Sequence, residues 1–369
     1  MNEKITPIVM PKWGLTMTEG TLSAWHVEEG QTISQGQEIM DVETDKIANA
    51  VEAADGGFLR RRVAQAGQVY PVKSLLGVMA PVEVPESEID AYVADFKVPV
   101  STSDEEDEAA IHRFVEAPSG RLRYVQRPGE GDPILFIHGF GGDLNNWLFN
   151  IDAVTGLGPV YALDLPGHGG STKAIAKPGL GALVTAVVEF MHELKLSNAH
   201  LIGHSLGGAI AGAIAVREPK LARSLTLISP AGLGQEIETR YIDGFVSAES
   251  RRDLKPVLQY LFADPDLVSR SMVEDLLKYK RLDGVQAALR GLAAALFKDG
   301  RQAESLAGDL AKVTLPVQII WGAKDAIIPA AQAKALPKAR IEIIGAAGHM
   351  AQMEAAGRVN ELVKAQIAG

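Results

Sequence analysis

The chain has 369 residues, 47% hydrophobic and 22% charged, which is long enough for two globular domains. Its 46 acidic and 36 basic residues give a net charge of −10, which argues against nucleic-acid and anionic-membrane partners. Cysteine is absent, so disulfides, thiolate metal sites and a cysteine nucleophile are excluded. No apolar run could span a bilayer, and residues 1–7 lack the apolar region of a signal peptide, so we expect a cytoplasmic protein.

Residues 1–81 contain an internal repeat. Gly20 and Leu22 of the first copy match Gly57 and Leu59 of the second. Short alternating segments between Gly-rich turns are typical of a small all-β domain. We therefore predict an N-terminal flattened barrel with a pseudo-twofold axis.

A single lysine stands between the two halves of this repeat. Residues 39–43 and 48–53 are predicted strands, and Thr44-Asp45-Lys46-Ile47 is the turn that joins them. A turn at the far end of a hairpin holds its side chains in solvent. We expect Lys46 to be presented there for attachment of a carrier group.

A linker is predicted over residues 82–110. The run 101–108 is polar and acidic, and it is typical of a flexible segment. Before it, residues 87–96 predict a short helix that is capped by Ser87 and has one apolar face. We expect this face to pack on a domain, and the alternative is a recognition helix for a partner subunit.

From residue 111 to residue 369, continuous apolar runs alternate with helical segments, which indicates a buried, mostly parallel sheet flanked by helices. The runs are 134–137, 160–163, 199–202, 225–228, 317–321 and 341–344, after an antiparallel lead-in at 111–116 and 122–126. No strand is predicted between residues 232 and 311. That stretch, with helices predicted at 241–248, 255–262, 273–279 and 285–297, is interpreted as a helical cap over the active edge of the sheet.

A nucleophilic serine is predicted at Ser205. The motif Gly203-His204-Ser205-Leu206-Gly207 follows an apolar run and opens a helix of small residues. In this Gly-x-Ser-x-Gly elbow, the serine occupies a sharp strand-to-helix turn, and the glycines permit close backbone approach. The fold that this elbow implies orders its triad as serine, acid, histidine. His349 is the only histidine after Ser205, so we expect it to be the base, in a flexible loop over residues 345–350.

The acid that orients this histidine is predicted to be Asp325. It lies in the loop after the run 317–321, where the sheet would hold it in place. Asp243 and Glu249, both within the cap, are the rival carboxylates.

Two backbone amides are expected to stabilise an oxyanion. One is that of Leu206, directly after the nucleophile, and the other is that of Phe140 in the Gly-rich loop after the first core strand. We expect His138 to brace this loop, and Asp164 and His168 to stabilise the turn after the next strand. Phosphate-loop and dinucleotide fingerprints are absent, and no histidine pair has ligand spacing on a helix, so no metal site is predicted.

These motifs resemble two known families. Residues 5–80, centred on Glu43-Thr44-Asp45-Lys46, resemble a lipoyl domain, because biotinyl domains usually place their lysine between two methionines. Residues 111–369 resemble an α/β-hydrolase. The combination is similar to the dihydrolipoamide acetyltransferase components of acetoin dehydrogenase complexes.

The resemblance implies lipoate on Lys46 and acetyl transfer from it to coenzyme A by Ser205, His349 and Asp325. It also implies two partners, a thiamine-diphosphate-dependent acetoin-cleaving component and a flavin-containing dihydrolipoamide dehydrogenase. Neither the His-x-x-x-Asp-Gly domain of the usual 2-oxoacid acyltransferases nor a separate subunit-binding module is present, so self-association and docking mode are left open. The alternatives are a serine hydrolase, such as a thioesterase or carbon–carbon bond hydrolase, with a lipoyl domain attached, and an inert docking scaffold.

Overall fold

The computed structural model of the protein describes residues 4–13, 17–44, 48–97 and 112–369. The chain divides into two compact units, Met1–Ala109 and Ala110–Gly369. None of the described helices combines the length and apolar content that crossing a membrane requires.

Eight short strands form the first unit. They are β1 Thr6–Val9, β2 Glu19–Trp25, β3 Thr32–Ile33, β4 Glu38–Glu43, β5 Ala48–Glu52, β6 Gly57–Arg62, β7 Gln68–Pro71 and β8 Leu75–Met79. They make two four-stranded antiparallel sheets, ordered β1-β8-β6-β3 and β5-β4-β2-β7. Exchanging β1–β4 for β5–β8, and the reverse, converts one order into the other. The predicted pseudo-twofold is therefore confirmed.

The core of this unit lies between its two sheets. Leu22 and Leu59, which are equivalent in the repeat, are both fully buried and belong to one apolar cluster with Met40 and Val42. Strand side chains alternate between faces, so a match between the copies places matching residues on the same side of each sheet.

The hairpin that carries the predicted attachment site is formed by β4 and β5. The two strands pair antiparallel, and Glu43 is opposite Ala48 at the end of the ladder. Both predicted strands are confirmed within one residue at each end. Asp45, Lys46 and Ile47 lie outside the described residues.

A helix, α1 (Glu86–Asp95), packs on the barrel. Ile89 is fully buried against an apolar cluster that includes Val78 and Val84. The guanidinium of Arg61 donates hydrogen bonds to Asp90 Oδ1 at 2.6 Å and to Glu86 Oε2 at 2.7 Å. The expectation that this helix packs on a domain is confirmed.

The predicted start of α1 at a Ser87 cap is wrong. Pro85 occupies the cap position, with φ −61° and ψ 145°, and no side chain caps the helix. Proline suits the start of a helix because its φ is already fixed and the missing N–H would have had no intrahelical acceptor. Glu86 and Glu88 in the first turn supply the negative charge that a helix N-terminus favours.

Ile89→Ala tests how far α1 stabilises the barrel. Deleting a fully buried aliphatic side chain should lower the free energy of unfolding of the first unit by about 2–5 kcal/mol. Native-state hydrogen exchange of the β8 amides measures this loss. Ala94→Ser, at an exposed site of the same helix, should stay within about 0.5 kcal/mol of the parent. A loss below about 1 kcal/mol for Ile89→Ala would contradict the docked helix.

The second unit is built on an eight-stranded sheet. Its strands are β9 His112–Ala117, β10 Gly120–Arg127, β11 Ile134–Ile137, β12 Val160–Leu163, β13 Ala199–His204, β14 Ala222–Ile228, β17 Val317–Gly322 and β18 Arg340–Ile344. Their order is β18-β17-β14-β13-β11-β12-β10-β9. The antiparallel lead-in is β9 and β10, and the other six strands run parallel. The predicted sheet is confirmed strand by strand.

Helices surround this sheet. They are α2 Leu180–Glu193, α3 Leu206–Arg217, α8 Ala307–Leu310, α9 Ala351–Glu354 and α10 Ala356–Ala368, with 3₁₀ turns at Leu144–Trp147, Asp152–Val154 and Ala330–Ala335. Every residue of β11, β12 and β13 is buried, which explains their continuous apolar sequences. The loops that follow parallel strands gather at one edge of the sheet, where open α/β folds bind ligands.

Four of the five helices between β14 and β17 correspond to those predicted for the cap, and the fifth is α8. The four are α4 Thr239–Ser247, α5 Arg251–Leu258, α6 Arg270–Lys280 and α7 Val285–Leu296, with 3₁₀ turns at Gln259–Leu261 and Pro265–Leu267. The expectation that this stretch contains no strand is wrong. Phe297–Lys298 (β15) and Arg301–Gln302 (β16) form a two-stranded hairpin. Strands of two residues are too short for an alternating sequence pattern to reveal.

Candidate active site

Ser205 occupies a strained turn between β13 and α3. Its φ is 53° and its ψ is −118°, a conformation that residues other than glycine rarely adopt. The serine N–H donates to the carbonyl of Ile228 at 3.0 Å, and its carbonyl accepts from the N–H of Ala231 at 2.9 Å. These bonds on either side hold the turn in place.

The two glycines of the elbow are required by close backbone contacts. A Cβ at Gly203 would collide with the carbonyl group of Gly207, and a Cβ at Gly207 would collide with the carbonyl of Ile137. Strand β13, helix α3 and strand β11 therefore approach one another closely only because both positions lack a side chain.

His349 and Asp325 meet in the loops after β18 and β17. The Nδ1 of His349 lies 2.8 Å from the Oδ2 of Asp325, and the two side chains are 2% and 0% exposed. The sequence reasoning paired these two residues, and the structure brings them together. The rival carboxylates, Asp243 and Glu249, are exposed on the cap.

Asp325 is surrounded by hydrogen-bond donors that the sequence did not indicate. Its Oδ2 also accepts from the indole N–H of Trp321 at 2.9 Å, and its Oδ1 accepts from the N–H groups of Ile327 and Ile328 at 2.8 and 2.9 Å. Burial raises the pKa of Asp325, but His349 and the two backbone N–H groups outweigh it and hold the pKa below its usual value. The side chain is therefore an anion that can stabilise a protonated His349.

The histidine loop is packed against the nucleophile elbow. His204, directly before Ser205, places its Nε2 3.0 Å from the carbonyl oxygen of His349, and the two rings have centroids 4.7 Å apart. Burial lowers the pKa of His204 well below its ordinary value, with a further contribution from His349. The neutral ring must donate through Nε2, because its partner is a carbonyl.

The loop after β11 lies beside the same serine. A Cβ on Gly139 would come within 3.0 Å of the Ser205 Cβ. Phe140 follows Gly139, and Leu206 is the first residue of α3, where opening N–H groups have no acceptor within the helix. Both amides predicted to bind an oxyanion therefore belong to segments that meet at Ser205.

Both units of the chain match known protein families. Residues 132–356 match the family model of the alpha/beta hydrolase fold, and residues 6–79 match a biotin/lipoyl model described as "biotin-requiring enzyme". Over 99% of its length and 98% of the relative, the chain is 52% identical to the dihydrolipoyllysine-residue acetyltransferase component of the acetoin cleaving system from Cupriavidus necator. A Pseudomonas putida protein of the same description is 46% identical over 97% of both chains. The chain belongs to this family.

Solved structures show the fold of the second unit of this acetyltransferase component. A meta-cleavage product hydrolase from Pseudomonas fluorescens IP01 has a TM-score of 0.64 at 23% identity, covering 70% of this chain and 98% of its own. A carboxylesterase from Bacillus subtilis has a TM-score of 0.61 at 19% identity, covering 69% and 90%. The resemblance to an α/β-hydrolase stated from the sequence is confirmed, as is the acetyltransferase family.

Two further histidines brace the loop after β11, residues 138–142, which we call the oxyanion loop because it contains Phe140, whose amide is predicted to bind the oxyanion. The Nε2 of His168 accepts from the N–H of Gly141 at 3.1 Å, and its Nδ1 lies 3.0 Å from the carbonyl of Pro166. The Nε2 of His138 accepts from the N–H of Leu165 at 3.0 Å. The loops after β11 and β12 are thereby joined by ring nitrogens, and each ring must stay neutral to accept a hydrogen bond.

The carboxylate of Asp164 bonds both of these loops. Its side chain is 0% exposed, pairs with Arg123, and accepts from the N–H groups of Leu144 and Gly170 at 2.9 and 2.6 Å. Burial raises the pKa of Asp164, but Arg123, with smaller contributions from His138 and the N–H of Gly170, outweighs burial and holds this pKa below its usual value. Asp164 therefore has a structural role, as expected from its place in a turn.

The cap covers the oxyanion loop with aromatic side chains. Phe140 lies 5.9 Å, centroid to centroid, from both Phe245 of α4 and Phe297 of β15. Gly141 has φ 75°, and a Cβ there would lie 2.5 Å from the Phe245 ring.

Within the described part of the chain, no cluster of three or more histidine and acidic side chains could hold a metal ion.

His168→Gln tests the neutral histidine. Burial, with a smaller contribution from His138, lowers the pKa of His168 to about 3. The unfolded chain therefore binds one more proton than the folded chain as pH falls from about 6.5 towards 3, and stability is lost in that window. Glutamine keeps an acceptor for Gly141 without titrating. The slope of unfolding free energy against pH should fall by about 1.4 kcal/mol per pH unit between pH 6 and 4.

Urea titrations across that range measure the slope. The exposed His192→Gln is the matched control and should leave it unchanged. Equal slopes for His168→Gln and the parent would show that the ring is protonated in the folded protein.

Asp325→Asn tests the buried dyad. The amide removes the charge that stabilises a protonated His349 and turns an N–H towards existing donors, so turnover should fall by about 10⁴-fold. Hydrolysis of p-nitrophenyl acetate measures it, with thermal unfolding as the check on folding. Asp243→Asn on the exposed cap should remain within twofold. The reverse ranking of the two variants would make Asp243 the acid.

Proposed function

We propose that this acetyltransferase component moves an acetyl group from a lipoyl thioester on Lys46 to coenzyme A, using Ser205 as the nucleophile. The observation that carries the proposal is the buried His349–Asp325 pair beside the strained Ser205, on a chain that also has a lipoyl-type barrel. A thioester needs only an activated nucleophile, a base and an oxyanion site to be transferred.

The first unit fits covalent attachment of lipoate. The β4–β5 ladder ends at the Glu43–Ala48 pair, and Lys46 lies between these two residues in the sequence. The bound group would supply a thiol that carries acetyl as a thioester. Tethering on the same chain raises its effective concentration at the second unit.

Ser205 begins the reaction by attacking the thioester carbonyl. His349 takes the proton from Oγ as the carbon–oxygen bond forms, and Asp325 stabilises the resulting imidazolium. The N–H groups of Phe140 and Leu206 bind the oxyanion. When the carbon–sulfur bond breaks, His349 returns the proton to the leaving thiol, and an acetyl-serine remains.

Coenzyme A completes the transfer by the same steps in the opposite order. His349 removes the proton from its thiol, the sulfur attacks the acetyl-serine, and Ser205 leaves with the proton from His349. A direct attack of the thiol on the carrier thioester uses the same base and oxyanion site. The cap, through Phe245 and Phe297 over Phe140, covers the oxyanion loop and would limit access of water.

The names of the relatives suggest the setting of this reaction. They describe components of an acetoin cleaving system. On this basis, a thiamine-diphosphate enzyme that cleaves acetoin would load the carrier, and a dihydrolipoamide dehydrogenase would reoxidise it. Both partners would have to act on the Lys46 hairpin.

Hydrolysis is the second candidate function, because the second unit is also similar to hydrolases. It is 26% identical, over 69% of this chain, to a 2-hydroxy-6-oxononadienedioate/2-hydroxy-6-oxononatrienedioate hydrolase from a Pseudomonas species. A hydrolase would pass the acyl group to water.

Product analysis with coenzyme A separates the two functions. Acetylated lipoyl protein should yield acetyl-coenzyme A, and Ser205→Ala should slow this by at least about 10³-fold. Ser247→Ala, an exposed serine of the cap, should match the parent. Lys46→Arg should be neither lipoylated, by intact mass, nor active with its own carrier. Release of acetate at an equal rate without coenzyme A would favour the hydrolase.

A further inference from the structure

The cap is bonded directly to the loop that carries His349. The N–H of Met350 donates to the carbonyl of Leu261 at 3.1 Å. A Cβ on Gly348 would lie 2.6 Å from the nitrogen of Ala263 and 2.8 Å from the carbonyl carbon of Phe262. The residue before the histidine is therefore a glycine because the cap backbone lies against it.

One carboxylate, that of Glu354 at the end of α9, spans this contact. Its Oε1 accepts from the N–H of Ala263 in the cap at 2.6 Å, and its Oε2 accepts from the N–H of Gly348 at 2.8 Å. Hydrogen bonds to an ionised acceptor are shorter and stronger than those between neutral groups. Each oxygen thus holds a different segment, and only a two-oxygen acceptor of this length can hold both.

The expectation of a flexible histidine loop is wrong for this reason. His349 is buried, its carbonyl accepts from His204, and the flanking Gly348 and Met350 are bonded to Glu354 and Leu261. Small residues in the sequence reflect close packing here and not mobility.

Glu354 also lies close enough to the dyad to interact with its charges. Burial raises the pKa of Glu354, and Asp325 adds to this, while the N–H groups of Ala263 and Gly348 and the nearby His349 oppose it. The carboxylate is kept in this partly buried place by the two backbone donors, because without them its charge would be costly to bury.

We infer that Glu354 is a positioning residue that couples the seating of the cap segment 261–263 to the placement of His349 against Asp325 and Ser205. When the cap is seated, both oxygens are bonded, and the histidine is held while the cap covers the site. When the cap segment moves away, Glu354 loses its bond from Ala263, and the loop that carries His349 loses its contact with the cap. This inference rests on the proposed function only through the role of His349 as the base.

Glu354→Gln is the sharpest test, because it keeps the shape and removes one acceptor. The amide nitrogen would face a backbone N–H, so the contact between the two segments that Glu354 bridges must open, and both segments lose a partner. We expect kcat for acetyl transfer to fall about 10–100-fold with little change in KM, since the loss is in the geometry of the base. Amide hydrogen exchange should rise together in residues 259–263 and 346–350, and the acetate-to-acetyl-coenzyme A ratio should rise.

Glu361→Gln is the matched control. Glu361 lies on the adjacent α10, has a side chain 69% exposed and bonds only Arg358 among the described residues. It should leave kcat, exchange and the product ratio unchanged. Glu354→Asp serves as a second variant should glutamine prevent folding: it keeps the charge but is too short to reach both donors, so it should give the same paired exchange with a smaller loss of kcat.

Three results would overturn the inference. The first is a kcat within twofold of the parent for Glu354→Gln, and the second is faster exchange in one segment alone. The third is an equal loss of kcat in a variant of a core residue away from the site that lowers the free energy of unfolding by the same amount, because the loss would then reflect stability. The p-nitrophenyl acetate assay is run alongside, with Ser205→Ala to give the background rate. If the parent makes no acetyl-coenzyme A, the proposed function fails, while this ester assay still decides the role of Glu354.

Discussion

The strained backbone at Ser205 is the constraint on which the second unit depends. A residue with φ 53° and ψ −118° costs about 1–3 kcal/mol unless its surroundings fix it. The neighbouring strand does so through Ile228 and the segment after it through Ala231. Side chains at Gly203 and Gly207 would force β11, β13 and α3 apart. Because both positions lack a side chain, the three elements meet closely at the turn that carries Ser205.

Around this turn, the protein uses buried polar groups in two opposite ways. Asp325 stays charged because four donors surround it, whereas His138, His168 and His204 have pKa values lowered chiefly by burial and serve as neutral hydrogen-bonding parts. The neutral rings of His138 and His168 connect the loops after β11 and β12, and that of His204 connects the end of β13 to the loop after β18. These three rings therefore add no charge beside the Asp325–His349 pair.

The sequence predicted the large features because each has a local pattern. Apolar runs predicted the parallel strands, the repeat predicted the two-sheet symmetry, and the order of Ser205, Asp325 and His349 followed from the elbow. It failed where the cause is distant in the chain. Glu354 accepts from the N–H of Ala263, which lies 91 positions away in the chain, and two of the four donors around Asp325 are backbone N–H groups, which every sequence contains. The Pro85 cap was missed although its cause is local, since proline fixes φ at the start of a helix, and β15 and β16 were missed because strands of two residues are too short to show alternation.

The interleaved strand order of the first unit has a consequence for how this protein is made. Thr6 pairs with Met79, so β1 waits for a partner that is translated last within the barrel, while β4 and β5 are neighbours in the chain and can pair at once. Contacts between distant residues close slowly because loop entropy must be overcome first. On the ribosome, the β4–β5 hairpin would thus form before the rest of the barrel. Neither sheet could be completed by half of the repeat, because each sheet contains strands from both halves.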